Sequence, residues 1–253
     1  MGKWLGKIIG GAIGLSLGGP LGMIGGIAFG NLFDSASQIT TTTNSFDSVQ
    51  QEGEAIFFIA TFSMLARMAM ADGRLLKEEI ETVNNFIDHD LKLDPQSKVV
   101  AQKIFNTSLS QKIGFEEFAN QFYQKFANEK EMLLLMVDIL VRVASSDKTI
   151  SEKERYFINY AATLFRISDN ELNRIITKYL GSTLDLDKAY LALSLDKSSS
   201  IDEIKKSYRK LSRDFHPDMI ASKGLPEEFT LFATEKFQEI QAAYELIKKE
   251  RNF

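Results

Sequence analysis

The chain has 253 residues, a net charge of −4 at pH 7 and no cysteine, and 44% of its residues are hydrophobic. This composition is typical of a globular protein with roughly one to three domains. The absence of cysteine excludes disulfides, thiolate nucleophiles and zinc–cysteine sites, and the acidic balance argues against a general nucleic-acid binder, which is usually strongly basic.

The first 34 residues form a glycine-rich head. Eleven of the 16 glycines lie in the first 30 residues, eight of them at every fourth position, and no charge occurs between Lys7 and Asp34. Small residues four apart let helix backbones approach closely in lipid. The head is therefore predicted to associate with membrane lipid and with a second copy, giving a homo-oligomer. The positions predicted for self-association are Gly10, Gly14, Gly18, Gly22 and Gly26.

Two geometries remain open for this head. One helix over the 26 uncharged residues would be about 39 Å long, enough to cross a hydrocarbon core of about 30 Å. Gly18-Gly19-Pro20 is, however, a strong breaker in the middle, and two half-helices would each be too short to span and would form a hairpin. A flexible tail is a further alternative, which the apolar character of the segment disfavours. A cleaved signal peptide is another, which the length of the apolar run disfavours.

The middle of the chain is predicted to be an all-helical domain over residues 51–180, preceded by a polar linker at 35–50. Apolar residues recur there at three- and four-residue steps, and no strand pattern competes. Asp94-Pro95 and the capping boxes that begin at Ser151 and Ser168 mark helix starts. The predicted helices are 52–71, 77–90, 95–108, 115–127, 130–145, 152–165 and 169–180.

This region contains an internal repeat with a period of 75 residues. In each copy one helix ends, the chain turns, and a second helix begins. Negative charge after the turn is favourable because the N-terminus of a helix carries partial positive charge. The aligned acids are Asp72 and Glu79 in the first copy, and Asp147 and Glu154 in the second.

The repeated turns resemble those of the TerB (tellurite-resistance) domain, an all-helical fold. The resemblance implies a divalent-metal site at the four aligned acids, Asp72, Glu79, Asp147 and Glu154. The alternative, which we favour, is that each carboxylate only organises a helix corner, because carboxylates are common at turns and helix N-termini. The turns lack the ligand spacing of an EF-hand, and no other cofactor is predicted.

The last part of the chain, residues 187–253, follows a second predicted linker at 181–186. A short helix comes first, and a capping box at Ser200 opens a helix predicted to run from Ile201 to about Phe215. Apolar positions on that helix match those on the long final helix, which predicts an antiparallel helical hairpin. His216-Pro217-Asp218 follows the first helix of the hairpin directly, and Pro217 should end that helix.

The helix before this tripeptide has five bases and no acid between residues 204 and 213. Like charges at i, i+4 spacing repel each other, so their presence indicates an acidic partner surface, with a solvated face as the simpler alternative. Nucleic acid is disfavoured, because the whole module has as many acids as bases. The five bases are Lys205, Lys206, Arg209, Lys210 and Arg213.

A His-Pro-Asp tripeptide between a basic helix and the sequence FQEIQAAY at 237–244 resembles the J domain. The resemblance implies a protein that binds a DnaK-type chaperone and stimulates its ATPase without being an enzyme itself. It assigns the stimulating role to His216, Pro217 and Asp218, and the docking role to the five bases. The Gly/Phe-rich linker and the cysteine-rich zinc domain of general J proteins are absent from this sequence.

The order of glycine-rich head, TerB-like domain and terminal J domain resembles the DjlA-type co-chaperone family. The resemblance implies the bacterial inner membrane, with the TerB-like and J domains in the cytoplasm, where DnaK and ATP are found. The alternatives are a cytoplasmic protein and a metal- or envelope-stress-sensing protein whose J domain only recruits a chaperone. Lys3 and Lys7 favour a cytoplasmic N-terminus, which a hairpin would satisfy and a single span would not.

Overall fold

A computed structural model describes residues 17–33, 49–71, 73–181 and 185–253 of the chain. Within these ranges the chain is helical and contains no β-strand, which confirms the all-α prediction. Two of the predicted glycine positions and one predicted acid, Gly10, Gly14 and Asp72, lie outside the described residues, as does most of the linker at 35–50.

In the described part of the chain before residue 181 there are eight α-helices and one short π-helical segment. All seven helices predicted for residues 51–180 are present, with ends close to those expected. The elements are α1 (Gly19–Phe33), α2 (Val49–Ala69), α3 (Lys77–Asn85) with the π-helical segment Phe86–Asp90, α4 (Pro95–Ser110), α5 (Phe115–Phe126), α6 (Lys130–Ala144), α7 (Glu152–Leu164) and α8 (Asp169–Leu180).

The helix starts follow the predicted caps. Asp94 accepts a hydrogen bond from the Gln96 amide at 3.0 Å at the start of α4, where Pro95 occupies the first helical position. Ser151 and Ser168 each form a complete capping box, at α7 and α8. These local hydrogen bonds satisfy amides that a helix N-terminus leaves without partners, which is why short-range sequence patterns located these ends correctly.

Helix α2 lies at the centre of this bundle. Every residue from Ala55 to Ala66 is buried, and the helix packs mainly against α4 and α5. Phe57 contacts Phe122 and Phe126 of α5 edge-on, with ring centroids 5.6 and 6.2 Å apart. A helix that is apolar on all sides is buried on all sides, and here other helices of the same chain cover it.

The second half of the glycine-rich head also belongs to this core. Helix α1 packs against α2, α4 and α5, and Leu21, Ile24 and Phe29 are at most 2% exposed. The Gln121 side chain on α5 holds its N-terminus, because it accepts a hydrogen bond from the Leu21 amide at 2.7 Å and donates one to the Gly18 carbonyl at 3.0 Å. Protein therefore covers one face of a segment that the sequence assigned to lipid.

The predicted breaker in the head is present. Gly18 and Gly19 adopt φ angles of +58° and +59°, a left-handed conformation that favours glycine, and α1 begins directly after this turn. Of the predicted self-association positions on α1, Gly22 is buried and Gly26 is half-buried. None of the helices in the described ranges combines the length and the apolar character needed to cross a membrane.

Four further helices follow residue 184. They are α9 (Asp185–Ala192), α10 (Ile201–Asp214), α11 (Pro217–Ser222) and α12 (Glu227–Arg251). Helices α10 and α12 form the predicted hairpin, in which Ile204, Ile240 and Ile247 are buried. The Tyr208 and Tyr244 rings stack across it, with centroids 3.9 Å apart.

The short helix α11 was not predicted. Pro217 ends α10 as expected, but it also occupies the first position of α11, where its missing N–H costs nothing. His216 therefore acts as an N-cap as well as the residue after a helix. The sequence pattern indicates that Pro217 ends a helix, but the same residue also begins the next one.

Candidate functional site

The His216-Pro217-Asp218 corner lies at the junction of α10 and α11, with Pro217 and Asp218 in the first turn of α11. The His216 side chain is 48% exposed and that of Asp218 is 93% exposed. The Asp218 amide donates a hydrogen bond to Nδ1 of His216 at 3.3 Å, and the imidazole packs edge-on against Phe237 of α12 at 5.5 Å between centroids. The corner is thus held by its own backbone and by the final helix, while the Asp218 carboxylate stays exposed.

The basic face of α10 lies beside this corner. All five predicted bases, Lys205, Lys206, Arg209, Lys210 and Arg213, are exposed. The Lys205 ammonium lies 5.2 Å from the centre of the Phe253 ring, and Arg213 is 3.4 Å from Asp214. The capping glutamate at the start of this helix, Glu203, has a lowered pKa because it accepts hydrogen bonds from the Ser200 amide and hydroxyl. The five bases, His216 and Asp218 are therefore all exposed on neighbouring segments of the chain.

The segment that follows the corner is anchored in the TerB-like helices. Lys223 forms ion pairs with Glu131 at 2.5 Å and with Glu129 at 3.1 Å. Burial disfavours the Lys223 charge, but hydrogen bonds to these two carboxylates outweigh it, so the pKa of Lys223 is raised. At Gly224, an added Cβ would lie 3.0 Å from the Gly53 Cα, so the two backbones touch where only glycine fits.

Helix α12 continues this anchoring. Its Phe229 ring is fully buried and contacts Phe57, Phe58 and Phe62 of α2, at centroid distances of 5.0, 6.0 and 6.5 Å. The C-terminal half of the same helix forms the hairpin with α10. A single 25-residue helix therefore contributes to both hydrophobic cores. Sequence reasoning missed this role, because the apolar spacing of a helix does not say which domain its first turns contact.

A partly buried charge network joins α6, α8 and α12. The Lys178 ammonium lies 3.2 Å from Asp138 and 3.4 Å from Glu239. Burial disfavours the Lys178 charge, but the carboxylate of Asp138 and the other negative groups outweigh it, so the pKa of Lys178 lies above its ordinary value. Burial and the Asp138 charge also raise the pKa of the neighbouring Tyr179.

The described metal candidates are engaged in local capping. Glu79 accepts a hydrogen bond from the Leu76 amide at 2.9 Å, and Glu154 does the same for Ser151. Asp147 accepts hydrogen bonds from the amide and hydroxyl of Thr149. In the part of the chain that the structure describes, no three or more acidic or histidine side chains group closely enough to hold a metal ion. These contacts fit the alternative in which the acids organise helix corners, and the metal site stays a prediction.

Three family models match the chain in order. The co-chaperone DjlA transmembrane domain matches residues 1–45, the tellurite resistance protein TerB model matches residues 58–177, and the DnaJ domain matches residues 188–252. The Co-chaperone protein DjlA of Coxiella burnetii is 30% identical, over 99% of both chains. The chain belongs to the DjlA co-chaperone family.

Other members of the DjlA family align over similar lengths. The Co-chaperone protein DjlA of Photobacterium profundum is 29% identical over 98% of this chain and 99% of its own. That of Escherichia coli K12 is 27% identical over 99% of both chains. No solved structure gives a significant match.

Membership of the DjlA family places the chain among the J-domain co-chaperones, with a chaperone as partner. The match of the head to the DjlA transmembrane domain indicates a membrane-anchored protein. These findings confirm the family, the fold class and the co-chaperone role. The individual site residues, the domain boundaries and self-association remain predictions.

Proposed function

We propose that this DjlA-family protein binds a DnaK-type chaperone through the basic face of α10 and stimulates its ATP hydrolysis through His216, Pro217 and Asp218. The observation that carries the proposal is that His216 and Asp218 are exposed, next to a helix with five exposed bases. A cationic surface of this kind attracts an acidic partner and accelerates its association. The tripeptide then contacts the docked chaperone.

Stimulation in this proposal is allosteric. The J domain must bind the hydrolysis-competent state of the chaperone more tightly than the other state, since a ligand shifts an equilibrium only by its differential affinity. His216 serves as a contact group, because its imidazole lies on a protein surface beside Phe237 and caps α11. The chaperone itself supplies the groups that hydrolyse ATP.

The membrane part of the proposal concerns topology. The head attaches the protein to the bacterial inner membrane, and the helices from α2 onward face the cytoplasm, where the chaperone and ATP are present. Lys3 and Lys7 support a cytoplasmic N-terminus. Protease accessibility in intact and permeabilised cells tests this topology. Cleavage of the C-terminal half in intact spheroplasts would place it outside the cytoplasm and contradict the proposal.

The test of the proposed function is the variant His216→Gln, which keeps a polar side chain of similar reach. We expect stimulation of DnaK ATP hydrolysis by the full chain to fall at least about tenfold, because the contact that discriminates between chaperone states is lost. His89→Gln is the matched control, since His89 is the other histidine of the chain and is exposed on the π-helical segment. Full stimulation by His216→Gln would refute the proposal.

A further inference from the structure

A cleft of about 210 Å³ lies between the TerB-like helices and the J domain. Helices α6 and α8 form one wall, and α9, α10 and α12 form the other. Apolar side chains line part of it, among them Leu134, Ile175 and Leu211. Concave sites between domains, with apolar walls and a few charged groups, are typical places for a ligand to bind.

The acids in this cleft already have basic partners. Glu171 pairs with Lys130 at 2.6 Å, and Asp138 pairs with Lys178 at 3.2 Å. Glu239 pairs with Lys178 at 3.4 Å and with a second lysine of α12. The remaining pairs are Glu131 with Lys223, and Asp214 with Arg213. The negative charge of the cleft is therefore neutralised within the protein.

Three cations in the same cleft have no acidic partner within the described ranges. Arg174 projects from α8 of the TerB-like domain, and Lys188 and Lys210 project from α9 and α10 of the J domain. The cleft thus presents an uncompensated positive charge next to apolar side chains, with cations on both walls. Its chemistry is complementary to a peptide segment that combines carboxylates with an apolar side chain.

We propose that this cleft receives an acidic, partly apolar segment of the DnaK-type chaperone, so that the TerB-like domain takes a direct part in docking. The inference rests on the proposed function and extends it beyond the J domain. Lys210 connects the two surfaces, because it belongs to the basic face of α10 and also lines the cleft. Asp214 and Phe215, which line the cleft as well, directly precede His216. A chaperone seated on α10 and the tripeptide therefore borders the cleft that Arg174 lines.

The test is charge reversal in the TerB-like domain, outside the J domain. Arg174→Glu in the full chain should raise the concentration of protein needed for half-maximal stimulation of purified DnaK by about tenfold, with the same maximal stimulation, because the tripeptide is intact. The increase should be smaller at high salt, which screens charges. The matched control is Arg155→Glu, an exposed arginine of α7 that does not line the cleft, for which less than about a twofold change is expected.

The outcomes distinguish failure of the cleft proposal from failure of the proposed function. Equal effects of Arg174→Glu and Arg155→Glu, in a chain that stimulates DnaK normally, would overturn the cleft proposal and leave the proposed function intact. A wild-type chain that fails to stimulate DnaK would refute both. If Arg174→Glu and the wild type have the same thermal unfolding midpoint, the weaker binding does not come from misfolding. If Arg174→Glu is destabilised, Arg174→Gln must also raise the concentration needed for half-maximal stimulation, or the proposal is overturned.

Discussion

At the scale of single residues, we expect the ion pair between Asp138 and Lys178 to contribute to the stability of the fold. Asp138 is 6% exposed and Lys178 is 28% exposed. We expect Asp138→Asn to lower the free energy of unfolding by about 3 kcal/mol, because removal of one partner leaves the other charge buried and less well compensated. Urea denaturation of the full chain measures this change.

The double variant Asp138→Asn/Lys178→Met tests the same explanation. It also removes the lysine charge, which Asp138→Asn leaves with Glu239 as its remaining ion-pair partner, so it should recover part of the lost stability. Glu81→Gln is the control, because Glu81 forms an exposed pair with Lys77 and such pairs contribute little. Similar effects of Asp138→Asn and Glu81→Gln, or a double variant less stable than Asp138→Asn, would contradict the prediction.

Some residue contacts could be predicted from the sequence and others could not. The sequence predicted the His216-Pro217-Asp218 corner and the capping boxes, since each depends on neighbours within a few residues. It did not predict the partners of Lys223, because Glu129 and Glu131 lie more than 90 residues earlier in the chain. Nothing in the spacing of a lone lysine identifies the carboxylates that the fold brings to it.

At the scale of elements, helix α1 can be tested with two isoleucines of the same helix. Ile24 is fully buried against the TerB-like helices, whereas Ile27 is 38% exposed on the outer face. We expect Ile24→Ala to lower the free energy of unfolding of the full chain by about 3 kcal/mol, because it opens a cavity in the core. Ile27→Ala should have a much smaller effect.

The difference between the effects of Ile24→Ala and Ile27→Ala on the free energy of unfolding tests whether α1 packs against the TerB-like helices. Both variants remove the same atoms from the same helix, so they change hydrophobicity and helix propensity equally. Fluorescence-detected unfolding of the full chain in one lipid or detergent preparation gives both values. Equal values for Ile24→Ala and Ile27→Ala would contradict packing of α1 against α2, α4 and α5.

The head illustrates why an element can be predicted and its environment cannot. The run of glycines and apolar residues predicted a breaker at Gly18-Gly19-Pro20, and α1 begins at this breaker, at Gly19. The same pattern favoured lipid, because small residues permit close helix contact in a bilayer. They permit equally close contact with other helices of the chain, and only the folded arrangement with Gln121 distinguishes the two.

At the scale of the whole molecule, helix α12 should make the TerB-like and J domains unfold together. Phe229→Ala removes a fully buried ring of α12 that packs against the phenylalanine rings of α2. Such substitutions lower the free energy of unfolding by about 3–5 kcal/mol. Because α12 continues into the hairpin with α10, we expect the loss to reach both domains. Calorimetry should show a single transition, shifted to lower temperature in the variant.

Hydrogen exchange can separate this expectation from two independent domains. In Phe229→Ala, amides of α2 and of α10 should both exchange faster than in the wild type. Leu231→Ala, a neighbour on the same helix that is 50% exposed, should change neither. Faster exchange confined to one of the two domains would show that α12 does not couple them.

The sequence by itself determined the helices other than α11, most of their caps, the internal repeat and the His216 tripeptide with its basic helix, because periodicity, capping and motifs act over short distances along the chain. The tertiary structure alone decided that α1 joins the core, that α12 contacts both domains, and that Arg174 and Lys210 line the same cleft. These features depend on contacts between residues far apart in sequence, and many pairings of apolar faces satisfy the same local pattern until packing selects one.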